Sequence, residues 1–234
     1  MGEVIRKNAA AEDIFADARE AMTHATARGG SWQTLAAQTL AAPLKLADLV
    51  AARVASARAS AEPLVAAQQS GNQRVDDFVG RISDLIWNDI GRPSYDYYYE
   101  LMFPSGITFY TDASDEEQPA RMELLADLIE SGMHPTLDPK KAKGYAGDIR
   151  RAAAEFERAV DAARKPRAQV NMYERMQAAA ARNCQAGLVN YKRLLKAAGM
   201  SESDIHTVIR DRPIRRAAPT PAAPTPATPA PTPA

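Results

Sequence analysis

Apolar side chains recur at three- and four-residue spacing along nearly all of this chain, and that period restricts most of it to α-helix. Ile14, Ala18, Met22 and Ala25 mark a first amphipathic segment, ended by Gly29-Gly30. Ser31 offers an N-cap to a second, through Trp32, Leu35 and Leu40. Leu46, Val50, Val54, Ala57, Ala61 and Leu64 continue the spacing, with Pro63 predicting a kink and Ser70-Gly71-Asn72 a turn. The cleanest stripe is Val75, Val79, Ile82, Ile86 and Ile90, stopped by Gly91 and Pro93.

Ser114-Asp115-Glu116-Glu117 reads as a capping box that opens a helix through Met122, Leu125, Ile129 and Met133, with Pro119 tolerated in its first turn. Asp138-Pro139 is an N-cap followed by an N1 proline, leading into Tyr145, Ile149, Phe156, Val160 and Ala163. Tyr173, Ala180, Cys184, Leu188, Tyr191 and Leu195 line the next helix, closed by Gly199. Ser201 to Asp204 caps a short last one through Ile209. Between the two long patterns stands Arg164-Lys165-Pro166-Arg167, where proline removes an i→i−4 hydrogen bond and restricts the residue before it. A tight turn there gives an antiparallel hairpin and a kink gives one long rod; burial of two apolar stripes against each other favours the hairpin.

One island departs from the helical period. Residues 93–112 hold Tyr95, Tyr97, Tyr98, Tyr99, Phe103, Phe109 and Tyr110, a Pro104-Ser105-Gly106 turn, and a β-type composition over Ile107 to Thr111. The expected fold class is all-α: antiparallel helical hairpins forming a bundle, a short extended or β-like aromatic connection, and a Pro/Ala/Thr tail. Residues Ala217 to Ala234 contain only those three amino acids, too little apolar surface to offset ordering, so disorder is expected there. The linear division is 1–92, an acidic helical region; 93–113, the Tyr-rich connection; 114–212, a helical region basic from 140; and 213–234, the tail.

Charge adds a constraint on association. The chain carries 29 Lys+Arg and 29 Asp+Glu, a net charge of zero. Residues 1–139 hold 11 Lys+Arg against 21 Asp+Glu, and residues 140–234 hold 18 against 8. Such halves attract each other or a charged partner. Lys140, Lys141 and Lys143 fall in the first turn of a helix, where cations oppose the macrodipole, which suggests an anion bound at that end. In a hairpin, Lys192, Arg193 and Lys196 arrive at the same end, with Arg210, Arg212, Arg215 and Arg216 following.

Catalytic chemistry finds little purchase. Cys184 is the single cysteine, on an apolar stripe, with no histidine placed to activate it. His24, His134 and His206 are far apart, and no Glu-x-x-His pair of the di-iron type exists. No catalytic residue, cofactor or metal is therefore assigned. Nor does an uninterrupted apolar run approach the ~20 residues of a membrane span or an export signal, so a cytoplasmic location is expected. Tyr95, Tyr97, Tyr98, Tyr99, Phe109 and Tyr110 form the candidate partner-binding set, since tyrosine concentrates at interfaces; the competing reading is that these rings seal a junction between helices. Lys140, Lys141, Lys143, Lys192, Arg193 and Lys196 form the candidate anion-binding set. The expected function is a non-enzymatic interaction or assembly protein that binds protein, first of all itself. Nucleic-acid or other polyanion binding through the basic end ranks second.

Overall fold

The structure, a computed structural model, describes residues 9–210; the Pro/Ala/Thr tail and Arg212, Arg215 and Arg216 lie outside the described residues. Seven helices follow in order: α1 (Ala11–Arg28), α2 (Gly30–Asp89), α3 (Tyr97–Met102), α4 (Thr108–Thr111), α5 (Gln118–Glu130), α6 (Pro139–Ala197) and α7 (Glu202–Val208). No strand occurs among the described residues. The all-helical class expected from periodicity is what forms.

Several local expectations are overturned. α2 runs for 60 residues through Pro63 and through Ser70-Gly71-Asn72, where a turn is predicted. α6 runs for 59 residues with Pro166 inside it, in place of the hairpin. The physical reason lies in which residues are buried. Val54, Ala61, Gln68, Val75 and Ile82 are buried at seven-residue intervals in α2, and the series passes through the supposed turn without slipping. In α6, Ile149, Phe156 and Ala163 keep the same interval up to Pro166, and Gln177, Cys184 and Tyr191 hold the identical phase beyond it. A seven-residue period keeps one stripe facing a partner helix over many turns. The gain along that seam outweighs the ~3 kcal/mol that an interior proline costs.

The aromatic connection is helical as well. Asp96, in extended backbone, accepts a hydrogen bond from the Tyr99 N–H and so caps α3, while Ile107 to Thr111 winds into the single turn of α4. A side-chain cap at the right position thus overrides the β preference of consecutive tyrosines. The Ser114 box does not form either: the Ser114 carbonyl accepts from the N–H groups of Glu117 and Gln118, and α5 begins only at Gln118, with Pro119 in its first turn. The caps at Asp138 and Ser201 do form, to Lys140 N–H at 2.7 Å and Asp204 N–H at 3.2 Å.

The described chain divides into two compact units. Residues 48–179 make one, and residues 9–47 with 180–210 the other. In the first, Val79, Ile86, Phe103, Tyr110, Leu125 and Phe156 belong to one core, to which α2, α3, α4, α5 and α6 all contribute. Partner numbers fall in α6 as they rise in α2, from Arg58–Glu174 to Asp89–Lys141, so the two helices run antiparallel. In the second unit, Phe15, Leu40, Leu188, Leu195 and Ile205 form a core drawn from α1, α2, α6 and α7. There a Cβ added to Gly187 would lie 2.7 Å from the Thr39 carbonyl oxygen. Only glycine admits that approach.

Candidate interaction surfaces

The six aromatic residues singled out by composition divide into two groups of three. Tyr110 is fully buried, its hydroxyl donating to the Met102 carbonyl, and burial pushes its phenol pKa up to about 12. Tyr99 is half-buried, packs edge-on to Trp87 with centroids 4.6 Å apart, and shares a short hydrogen bond with Ser83. Phe109 lies beneath Arg121, whose guanidinium sits 5.0 Å from the ring centre and donates to the Phe109 carbonyl. These three do the sealing that an alanine-rich core requires.

Tyr95, Tyr97 and Tyr98 face water, 65%, 62% and 42% exposed. Asp96 caps α3, and its Oδ1 also lies 3.1 Å from His134 Nε2, a close contact that is misdirected for a hydrogen bond. The His134 side chain is 2% exposed, its Nδ1 lies within 3.2 Å of the Thr136 hydroxyl, and the Tyr98 ring packs edge-on against it. The Tyr99 N–H chiefly, then the imidazole, holds the Asp96 carboxyl below its ordinary pKa. Leu101, one turn beyond Tyr97 on α3, adds an exposed aliphatic side chain to the same surface.

The candidate anion-binding residues divide between the two units, Lys140, Lys141 and Lys143 in that of residues 48–179 and Lys192, Arg193 and Lys196 in the other. Because α6 is unbroken, Lys140, Lys141 and Lys143 occupy its first turn while Lys192, Arg193 and Lys196 occupy its far end. Lys141 is taken by Asp89 at 2.7 Å, and Asp89 also accepts from the Tyr145 hydroxyl. Both bonds lower the Asp89 pKa, Lys141 first. Lys192 and Lys196 both bind Glu202 and, with His206, hold its carboxyl down at about 2. Lys140, Lys143 and Arg193 are exposed.

The two charged halves of the sequence meet within the chain. Arg150 contacts Glu123, Asp127 and Glu130, Arg164 approaches Glu116 at 3.9 Å, and Arg210 reaches Glu20 at 3.0 Å. Intramolecular matching therefore absorbs much of the attraction that the charge asymmetry offered to a partner.

Two features escaped the sequence reading. Leu49, Met172 and Met176 are 57%, 50% and 44% exposed on a stretch of α2 and α6 that contributes nothing to either core cluster. α2 also contains an 18-residue window apolar enough by length and composition to cross a membrane, mean hydropathy 1.3, of which 28% is buried. Cys184 is buried as expected, and no group of three His, Cys, Asp or Glu side chains is placed to hold a metal among the described residues. No protein-family model matches the chain, and no curated protein or solved structure matches it.

Proposed function

We infer that this is a non-enzymatic interaction protein: an all-helical chain that assembles with protein partners, its own second copy first. One observation carries the reading, the exposed surface of Tyr95, Tyr97, Tyr98 and Leu101. Tyrosine offers a large contact area with few rotors to freeze, and such residues dominate binding energy at interfaces. The cap on α3 and the contact with His134 hold this surface in place before any partner arrives, which lowers the entropy cost of binding.

Polyanion binding is supported less well, since its two lysine clusters stand at opposite ends of α6 and three of the six cations are engaged by carboxylates. Sedimentation equilibrium of the full chain tests the assembly reading. Wild-type protein should self-associate, and Tyr97→Ala with Tyr98→Ala should weaken the dimer by about 30-fold or more, as for two interface residues worth ~1 kcal/mol each. A wild-type protein that stays monomeric at all concentrations overturns self-association.

A further inference from the structure

The exposed face of α3 has a definite shape and chemistry. The Tyr97 and Tyr98 rings stand 5.9 Å apart at 79° to one another, two walls of an aromatic corner. Tyr98 in turn rests edge-on against the buried His134 ring, with centroids 5.7 Å apart. Leu101 follows Tyr97 by four residues and Tyr98 by three, so its exposed side chain belongs to the same face. Tyr95 joins the group through the exposed Glu100. The charge of that carboxylate first, then desolvation, then a hydrogen bond to it push the Tyr95 phenol pKa up. Three phenols and an aliphatic side chain thus lie beside one carboxylate.

The same chain carries a segment whose chemistry suits such a surface. Aromatic-lined sites take up polyproline II, a helix with no internal hydrogen bonds, whose rings pack on aromatic faces and whose carbonyls are open to donors such as phenol hydroxyls. Residues 217–234 hold seven prolines in 18 positions, with only Ala and Thr between them. No bulkier side chain competes with proline for contact there. In Pro221-Ala222-Ala223-Pro224 and Pro226-Ala227-Thr228-Pro229 the three-residue turn of polyproline II returns both prolines to one side. Arg215 and Arg216 immediately precede the run and are opposite in charge to Glu100. At ~3.1 Å per residue, polyproline II of that length spans about 55 Å, enough to reach a neighbouring molecule.

We propose that the surface of Tyr95, Tyr97, Tyr98 and Leu101 takes up the Pro/Ala/Thr tail of a second copy of this chain, with Glu100 receiving Arg215 or Arg216. This exchange of tails rests on the self-association reading above and names the segment that the tyrosines hold. Every copy carries both the surface and the segment. Two copies that exchange tails therefore make the same contact twice, which closes a symmetric dimer. Proline has little rotational freedom to lose on docking, so a small aromatic corner suffices to hold it. The exposed ion pair at the edge steers the encounter more than it adds affinity.

Sedimentation equilibrium of the full chain tests the exchange with two variants. One carries Tyr97→Ala and Tyr98→Ala. The other has glycine in place of all seven prolines from Pro219 to Pro233, which leaves every residue of both cores as it is. Each variant alone should weaken the dimer by about 30-fold. Combining them should add little, because either change removes the same contact. Mixed in equal amounts, the two should associate more tightly than either does alone, since the intact tail of the first fits the intact tyrosines of the second. A glycine variant that dimerises as wild type does, beside a weakened tyrosine variant, leaves self-association standing and overturns the tail as its occupant. Two weakened variants that fail to rescue each other overturn exchange between copies. A wild-type chain that stays monomeric overturns both readings, and the glycine variant alone decides if the tyrosine variant does not fold.

Discussion

Within the unit of residues 48–179 the same two helices pass through two different surroundings. Where α3, α4 and α5 cover them, their seam is built of Val79, Ile82, Ile86, Ile149 and Phe156. Over residues 48–70 and 161–179, outside that core cluster, the buried positions shrink and turn polar: Val54, Ala61, Ala163, Gln68 and Gln177. Arg58, three heptads before the buried Val79, and Glu174, two heptads after the buried Val160, form a partly exposed ion pair at 2.6 Å. A third layer of helix lets a large side chain lose its water on every side. Two helices alone shelter only the line between them, so small residues that draw the backbones together, and charged ones that reach out to water, take over. Polar residues at such positions also specify alignment at a cost in stability.

The contrast is open to measurement. Phe156→Ala, in the covered stretch, should cost about 3–5 kcal/mol in urea unfolding, the loss of a fully buried ring and the cavity left behind; a cost under ~1 kcal/mol would mean that the covered end is no better packed than the bare one. Pro166→Ala should act in the opposite direction, restoring a donor inside α6 and raising stability by about 1–3 kcal/mol. A drop instead would place a turn at Pro166 and end the continuous helix. Smallest is the Arg58–Glu174 pair: a double-mutant cycle to alanine should return a coupling of about 0.2–1 kcal/mol, given the exposure of both side chains. A coupling well above that range would show the bare stretch to be far less hydrated than its surface indicates.

What the sequence disclosed, and what it hid, follows from the range of the forces involved. The apolar stripes, the Gly91 stop and the caps at Asp138 and Ser201 are local, set by residues within one turn of each other, and they were legible. Pro166 and Ser70-Gly71-Asn72 were read by the same local logic and misled, because the force that straightens the chain there comes from a helix far away in sequence. The clue was the sevenfold recurrence of Val54, Ala61, Gln68, Val75 and Ile82. Glutamine and alanine hold two of those five places, so a search for bulky residues slides past them. In the aromatic connection, Asp96 three residues before Tyr99 carried a helix-start signal that the crowd of tyrosines masked. The exposure of Tyr95, Tyr97 and Tyr98 beside the burial of Tyr110 was beyond reach of composition, which treats all phenols alike.

The antiparallel alignment of α2 with α6 also restricts how such a chain is free to change length. One residue added to α2 between Arg58 and Gly71 would swing everything downstream by roughly 100° and turn the buried line out to water. Seven residues added to α2 alone would restore the angle but slide Phe156 off Gly71, where it now sits 3.2 Å from the position a Cβ would take. Growth or shortening is tolerated only as matched heptads, one in each strand of the pair, so any lineage of this protein should vary in steps of fourteen residues split between two distant points of its sequence.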